Sequence, residues 1–360
     1  MMFLQQYSRP IYFFLSKAYG IFLRVTGNVL NLAPLRITLH PTSRCNFKCS
    51  YCHVATGLNQ DVDTLEFDEW KKMVEKIRPL SVVSFTGGEP LLFKNIDVLI
   101  RKAKKRLCIA TLVTNGSLLT DSKIDDLYNS GLDYLMISID GFEDVHDRSR
   151  GVQGSFAKIK KALDYIEAKY EKRFSVGLKV VLSEESIYGV EKLIEFSKHY
   201  QCVTDIAFNL IYDNIPNGAL YTFESLDDES FYVGNTFEYS EDAKKSLLAF
   251  IQNHKERRHK NLSFTLKLKQ HSDLVKYITT PRSYGVKKCT LPWTDISILP
   301  NGDITSCLNF KLENIRNLDY KVSSVVKSKR TKYFQKFMKQ NQFLPACEGC
   351  PLAHCHQAKR

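Results

Sequence analysis

Short apolar runs alternate with helix-forming segments along the first two thirds of the chain. The apolar runs are residues 35–39, 82–85, 109–113, 134–139, 176–182 and 206–210. Helical spacing of apolar residues falls between them, near 67–77, 96–103, 121–128, 156–168 and 190–199. Strands that alternate with helices of roughly 10 to 15 residues form a parallel sheet. The sequence therefore predicts an α/β fold, a partial (β/α)6 TIM-like barrel.

Polar motifs follow directly after several of these apolar runs. In chain order they are Cys45, Cys49 and Cys52, then Gly87-Gly88-Glu89-Pro90, then Asn115, and then Ser138 with Asp140. In parallel barrels the functional residues lie at the carboxyl ends of the strands. We therefore expect these motifs to meet at one mouth of the barrel.

Cys45, Cys49 and Cys52 fall within eight residues of one predicted loop. Three thiolates can hold one four-iron cluster and leave one iron without a protein ligand, whereas a closed electron-transfer cluster takes four cysteines. Two simpler interpretations stay open for the motif alone. A Cys-x2-Cys pair can be half of a zinc site, and a cysteine can serve as a small apolar core residue.

Taken together, these motifs resemble the radical S-adenosylmethionine (SAM) superfamily, over residues 36 to 210. The resemblance implies a radical SAM oxidoreductase that uses SAM and a catalytic [4Fe-4S] cluster. In this family the open iron chelates the methionine part of SAM, and SAM is reductively cleaved to a 5′-deoxyadenosyl radical that abstracts a substrate hydrogen. It also implies a low-potential reductant of the flavodoxin or ferredoxin type.

The resemblance further implies which residues contact SAM. These are Tyr51, Gly87, Gly88, Glu89, Pro90, Asn115, Ser138, Asp140 and Arg150. Tyr51 would neighbour the adenine, Glu89 would accept the methionine ammonium, and Arg150 would hold SAM or the loop around it. The residues at the ends of the third and fourth strands would reach the carboxylate and the ribose. Alternatively, Tyr51 packs under the loop, Asp140 begins an ordinary turn, and Arg150 lies in a solvated basic turn.

A second group of cysteines lies near the C-terminus. It comprises Cys289, Cys307, Cys347, Cys350 and Cys355. The segment from Gly302 to Cys307 matches the Gly-x4-Cys hairpin of the SPASM and twitch extensions, which implies one auxiliary [4Fe-4S] cluster with four thiolate ligands. The full SPASM pattern needs more cysteines than these five, and the role of Cys355 stays open. A four-cysteine zinc site is the alternative.

The predicted domains follow from these features. Residues 1–34 form an N-terminal amphipathic helical segment, 35–235 the barrel, 236–275 a helical linker, and 276–360 a cysteine-rich SPASM/twitch-like extension. Cys108 and Cys202 lie in apolar segments and are expected in the core. Ten cysteines without a secretory signal indicate a reducing cytoplasm.

The net charge of +12 favours an anionic partner. We expect no nucleic acid, because the basic residues lack interleaved surface aromatics. Residues 9–24 combine aromatic and basic residues at helical spacing, too short an apolar run to span a bilayer. This helix either makes peripheral contact with a membrane or covers one end of the barrel.

The sequence does not identify the substrate. The expected reaction is oxidation or epimerisation of a phosphorylated, nucleotide-linked or lipid-linked small molecule. The alternative is maturation of a ribosomal peptide or modification of a protein. A different class also stays open, in which the cysteines serve only iron-sulfur electron transfer or zinc binding.

Overall fold

The computed structural model describes the barrel and much of the C-terminal extension. The described residues are 18–19, 21–26, 28, 31–52, 58–59, 63–211, 238–254, 263–264, 275, 278–279, 289–307 and 310–340. Cys347, Cys350 and Cys355 lie outside them, as does most of the predicted N-terminal helix.

Ten strands form one sheet in the order β10-β9-β8-β1-β2-β3-β4-β5-β6-β7. They are β1 (Arg36–Leu39), β2 (Val82–Phe85), β3 (Ile109–Thr114), β4 (Tyr134–Ser138), β5 (Val176–Leu182), β6 (Val203–Leu210), β7 (Ser263–Phe264), β8 (Asp295–Ile298), β9 (Asp303–Ser306) and β10 (Phe310–Asn314). The helices are α1 (Phe67–Glu75), α2 (Ile96–Lys105), α3 (Asp121–Asn129), α4 (Asp144–Arg150), α5 (Ser155–Tyr170), α6 (Val190–Ser197), α7 (Glu241–His254), α8 (Leu291–Thr294) and α9 (Lys329–Lys339). Shorter 3-10 turns include Pro90–Leu92 and Ser186–Tyr188.

Strands β1 to β6 run parallel and lie in chain order. The predicted partial barrel of six parallel strands is thus confirmed, and its sheet is not closed, because β7 and β10 are its edges. Strand β6 begins at Val203, three residues before the predicted start. The polar pair Thr204 and Asp205 interrupts the apolar run there, yet Asp205 pairs with Gly177 of β5.

Several strands of the sheet, among them β1, β2, β3 and β8, have one buried face and one half-buried face. In β1, Ile37 and Leu39 are buried, whereas Arg36 and Thr38 are half-buried. The same alternation recurs in β2, β3 and β8. Apolar stripes on the helices, such as Trp70 and Met73 of α1, cover the buried face. The other face lines the inside of the barrel and carries both hydroxyl side chains, such as Ser84 and Thr111, and apolar ones, such as Val82 and Val113.

The C-terminal extension continues the same sheet. Strand β8 pairs in parallel with β1, and β9 and β10 follow as antiparallel neighbours. The predicted hairpin is present between β8 and β9. Gly302 lies in its turn at φ +85°, and the Gly302 N–H donates to the Leu299 carbonyl at 2.9 Å. Glycine suits this left-handed position, because a Cβ would come within 3.1 Å of Asn314 Oδ1.

A short helical stretch at residues 21–26 packs on α9. Leu23 is buried, Arg24 Nη2 donates to the Met338 carbonyl at 3.4 Å, and Lys339 Nζ donates to the Val25 carbonyl at 3.2 Å. Phe22 and Val25, on the other side, are 48% and 69% exposed. No helix among the described residues has both the length and the hydropathy needed to cross a membrane.

Candidate active site

The loop after β1 carries Cys45, Cys49 and Cys52, all three half-buried free thiols. Asn59 fastens the start of this loop. Its Oδ1 accepts the Cys45 N–H at 2.9 Å, and its Nδ2 donates to the Cys45 carbonyl at 3.1 Å. Phe47 is buried beneath the loop. The apolar side chain and the paired amide together hold the cysteine backbone at the mouth of the barrel.

The three thiols lie close enough to affect one another's ionisation. Burial raises the pKa of Cys45, the Phe47 N–H partly offsets this, and the negative charges of Glu89, Cys49 and Cys52 raise the pKa further. Among the described residues no three histidine, cysteine or acidic side chains are already arranged as a metal site. The donors still suit an iron-sulfur cluster, because its iron would offset the repulsion between three neighbouring thiolates.

Gly87 and Gly88 pack directly against the cysteine loop. From the sequence we expect such glycines to allow a ligand to approach the backbone. In the structure the group that lies close to them is instead the backbone of residues 42–44. The Gly88 N–H donates to the Thr42 carbonyl at 3.0 Å. A Cβ on Gly88 would lie 2.1 Å from the Arg44 carbonyl oxygen, which no side chain could tolerate. The glycine pair thus sets the position of the three cysteines.

Glu89 is 1% exposed and ties the ends of β2 and β3 together. It accepts hydrogen bonds from Thr114 Oγ1 at 2.7 Å, the Asn115 N–H at 2.8 Å and the Leu91 N–H at 3.1 Å. Pro90 begins the 3-10 turn that presents Leu91. Burial raises the pKa of Glu89, although these donors oppose the shift. A carboxylate offers about four acceptor positions, so about one is left for an ammonium group.

Asn115 links the end of β3 to the cysteine loop. Its Nδ2 donates to Asn46 Oδ1 at 2.9 Å, and its Oδ1 accepts from Ser117 Oγ at 2.7 Å. Asn46 Nδ2 in turn donates to Ser117 Oγ at 2.9 Å. Sequence analysis missed Asn46 and Ser117, although each lies next to a motif residue. The Asn115 Oδ1 and one Nδ2 proton are thus used to position the loop, and the contacts of the described residues leave the second Nδ2 proton for a ligand.

Asp140 and Arg150 form a buried ion pair below the cysteine loop. Asp140 is fully buried and Arg150 is 9% exposed. Arg150 Nε lies 2.6 Å from Asp140 Oδ2, and Arg150 Nη2 donates to Oδ1 at 3.0 Å. Asp140 Oδ1 also accepts the Val181 N–H at 2.8 Å. Asp140 is therefore more than a turn residue, and Arg150 is not in a solvated turn.

Tyr51 completes this cluster. Its hydroxyl donates to Asp140, and the Arg150 guanidinium lies 5.6 Å from the centre of its ring. Burial and the charge of Asp140 raise the pKa of Tyr51, so the phenol stays a neutral donor. Burial alone would lower the pKa of Arg150, but the attraction to the negative charge of Asp140 is larger, and the pKa of Arg150 is raised. Arg150 Nη1 lies 3.9 Å from Cys49 Sγ, next to a predicted cluster ligand.

Two further residues of this region escaped sequence analysis. His146 is fully buried, and its Nδ1 accepts the Asp140 N–H at 3.1 Å. Burial, followed by the charge of Arg150, lowers the pKa of His146 to about 4. Lys179 of β5 pairs in register with Ser138 at the buried end of β4. His146 lies in the segment from which the sequence singles out only Arg150, whereas Lys179 belongs to no recognisable motif and is revealed by its place in the sheet.

The second cysteine group is only partly described. Cys289 precedes α8 and β8, and Cys307 follows β9. Strand β8 runs parallel to β1, and β9 runs antiparallel to β8. Both cysteines therefore lie at the ends of the strands opposite to the cysteine loop of β1. Cys108 and Cys202 are buried, as predicted. The inner face of the barrel therefore runs from the cysteine loop of β1 towards Cys289 and Cys307.

Two family models match the chain. The radical SAM superfamily model matches residues 39–196, and the SPASM iron-sulfur cluster-binding domain model matches residues 289–351.

Curated relatives match about half of this chain. The sporulation killing factor maturation protein SkfB of Bacillus subtilis is 28% identical over 188 residues, covering 52% of this chain and 44% of that protein. The PqqA peptide cyclase of Bradyrhizobium diazoefficiens is 28% identical over 167 residues (46% and 43%). The Fe-coproporphyrin III synthase of Methanosarcina barkeri is 25% identical over 173 residues (48% and 43%). Each match thus spans less than half the length of the relative.

Solved structures share the fold over most of the chain. Streptococcus suis SuiB bound to S-adenosylmethionine matches with a TM-score of 0.61 at 17% identity, covering 85% of this chain and 68% of SuiB. Native anSMEcpe with bound AdoMet matches with a TM-score of 0.58 at 18% identity, covering 85% and 84%. The likeness includes the extension as well as the barrel.

We predict that Gly88→Ala prevents assembly of the site on the cysteine loop. The added Cβ would displace the Arg44 carbonyl and with it the loop. After anaerobic reconstitution, the variant should bind about four irons per chain fewer than the wild type. Gly154→Ala is the control, because a Cβ at Gly154 meets nothing within 4 Å, although the positive φ of Gly154 adds a backbone strain that Gly88 does not have. Normal iron content in Gly88→Ala would contradict the role of the glycine pair.

We predict that His146 makes the protein less stable in acid. Its folded pKa of about 4 lies below the ordinary 6.5, so unfolding takes up a proton and stability is lost as the pH falls through this window. The loss from pH 7 to pH 5 should be about 2 kcal/mol. Urea unfolding at both pH values should show this loss in the wild type and the exposed control His199→Gln, but not in His146→Gln. Equal losses in all three proteins would refute the prediction.

Proposed function

The chain belongs to the radical SAM superfamily and carries a C-terminal SPASM domain, and from this premise we propose that it is a peptide-modifying radical SAM enzyme. Its cofactors are SAM, a catalytic [4Fe-4S] cluster and an auxiliary iron-sulfur cluster. The observation that supports the proposal most strongly is the connected set of Cys49, Tyr51, Asp140 and Arg150 at the mouth of a barrel with a half-exposed inner face.

When bound, the cluster and SAM supply the 5′-deoxyadenosyl radical that takes a hydrogen atom from the substrate. Cys45, Cys49 and Cys52 would hold the cluster at the mouth of the barrel. Glu89 would offer its remaining acceptor position to the methionine ammonium. Arg150, fixed by Asp140 beside Cys49, would stabilise negative charge on the thiolate or on the methionine carboxylate.

The other polar residues at the mouth of the barrel would contribute neutral hydrogen-bonding groups to the site. Tyr51 remains a neutral donor to Asp140, and the Arg150 guanidinium lies over its ring. Ser138 and Asn115 bring hydroxyl and amide groups to the ends of β4 and β3. Because their positions are set by the strands, they would orient the ribose and carboxylate of SAM at little cost in conformational entropy.

For the substrate, the relatives support a peptide better than the small molecule that we first expect. Two of the three relatives above are named as a maturation protein and a peptide cyclase, and SuiB also has a structure with its precursor peptide SuiA. The haem-pathway synthases among the relatives keep small molecules as the second candidate. The proposed reaction is oxidation or epimerisation of the substrate, with a flavodoxin or ferredoxin as the source of the electron.

We also propose a cytoplasmic enzyme that touches a membrane surface. Exposed Phe22 and Val25 lie beside α9, whose exposed lysines share one face at positions 329, 332, 336 and 339. Lys339 contacts the Val25 carbonyl, so the apolar and basic groups adjoin. An apolar patch next to basic side chains suits the headgroup region of an anionic bilayer.

We predict that reconstituted wild-type protein, reduced by dithionite or by reduced flavodoxin, converts SAM to 5′-deoxyadenosine. Cys45→Ala/Cys49→Ala/Cys52→Ala should lower the rate by at least about a thousandfold, because no site for the cluster remains. Cys108→Ala, which removes a buried cysteine outside the site, is the control. Chromatography of the nucleoside product measures the rate. The absence of 5′-deoxyadenosine from the wild type would reject the proposed chemistry.

We predict that the full chain binds vesicles of phosphatidylcholine with phosphatidylglycerol and not phosphatidylcholine alone. Phe22→Ser/Val25→Ser should weaken binding by at least about tenfold. The burial of each exposed apolar side chain in the bilayer would contribute roughly 1.5 kcal/mol to the free energy of binding. Tyr188→Ser, at another exposed aromatic, is the control. Equal sedimentation of the double variant and the wild type would reject this contact surface.

A further inference from the structure

Hydroxyl groups form a continuous row across the inner face of the barrel. The register pairs Ser297 with Thr38, Thr38 with Ser84, and Ser84 with Thr111. All four residues are half-exposed, on the face opposite the helices. None of their side chains hydrogen-bonds to another residue in the part of the chain that the structure describes. The inner face therefore offers donors and acceptors to a polar molecule.

The other charged groups of the inner face already have partners. At the base, Arg36 Nη2 lies 2.6 Å from Asp295 Oδ2. On β6, Asp205 Oδ1 accepts the Tyr134 hydroxyl at 2.5 Å. The tyrosine reaches it over Gly177, where a Cβ would come within 1.6 Å of the hydroxyl oxygen. The base of the barrel is thus closed by groups that satisfy one another.

Lys179 differs from these groups. Its register with Ser138 places it just inside the mouth, one strand from Asp140. It alternates with the buried Leu178 and Val180, so its side chain belongs to the half-exposed inner face. Within the described ranges no carboxylate forms an ion pair with Lys179, because Asp140 is held by Arg150. Lys179 is therefore a positive charge on the inner face for which the described residues provide no ion-pair partner.

We propose that Lys179 determines substrate specificity by binding an anionic group, a carboxylate or a phosphate, inside the barrel. The inference rests on the proposed function, since it places the substrate between the mouth and the row of hydroxyls. An ammonium group carries three donors and is strongly hydrated. A substrate that displaces this water has to replace its hydrogen bonds, and an anion does so with charge-assisted bonds. A neutral substrate would leave Lys179 desolvated.

Burial and the charge of Arg150 lower the pKa of Lys179, which agrees with an ammonium that lacks its counter-ion. The carboxylate would come from an acidic side chain or the C-terminus of a peptide, and the phosphate from a phosphorylated small molecule. The hydroxyl row would bind backbone amides in the first case and polyol groups in the second. The kind of anion that Lys179 binds, a carboxylate or a phosphate, would thus distinguish the two candidate substrate classes.

The test uses the reconstituted full chain and two probes, N-acetylglutamate and inorganic phosphate, with calorimetric titration at low salt. We expect the wild type to bind at least one probe, which also identifies the source of the anion. Lys179→Met should weaken that binding at least tenfold, and Lys179→Arg less than threefold. Lys158→Met, at an exposed lysine of α5, is the matched control and should bind as the wild type does. Circular dichroism checks that each variant is folded.

Two outcomes would overturn the proposal: binding of neither probe by the wild type, or equal binding by the wild type and Lys179→Met. A third titration uses SAM itself. If Lys179→Met weakens SAM binding tenfold and leaves probe binding unchanged, Lys179 serves the cofactor and the substrate assignment is wrong. Cleavage of SAM by the wild type is measured separately, so failure of the anion site and failure of the proposed chemistry are distinguishable.

Discussion

The buried ion pair between Asp140 and Arg150 holds the candidate site together. It joins the end of β4 to α4, and through the Val181 N–H and the Tyr51 hydroxyl it also reaches β5 and the cysteine loop. A buried ion pair seldom stabilises a fold by itself, because desolvation of both charges opposes the attraction. Removing one partner is expensive, however, at about 3–5 kcal/mol, since it leaves a buried charge alone. The pair therefore specifies the positions of four segments more than it strengthens the fold.

The position of β1 connects the two cysteine groups. As a central strand it pairs with β2 on one side and with β8 of the extension on the other. The loop after β1 carries Cys45, Cys49 and Cys52, whereas Cys289 and Cys307 lie at the opposite end of the neighbouring strands. In the proposed enzyme, a substrate inside the barrel would thus lie between Cys45, Cys49 and Cys52 at one end and Cys289 and Cys307 at the other. This arrangement follows from strand direction alone.

The sequence predicts the strands and the residues at their ends well, because each motif directly follows an apolar run. It does not reveal the partners of these residues. Gly88 approaches the Arg44 carbonyl, and Glu89 binds the end of β3, through contacts between segments that are distant in the chain. The start of β6 is hidden for another reason, because the adjacent polar residues Thr204 and Asp205 interrupt the apolar run by which the strand is recognised. Lys179 lies inside a strand that the sequence predicts, but no motif marks it as part of a site.

The half-buried inner face also explains how the fold can present polar groups at its centre. A closed eight-stranded barrel fills its interior with layers of apolar side chains. Here the buried faces of the strands pack against the helices, and side chains such as Trp70 and Phe85 supply that core. Residues on the inner face contribute little apolar burial, so a change from one polar residue to another costs little stability. Substrate preference can therefore change through residues such as Lys179 while the helix-covered face preserves the fold.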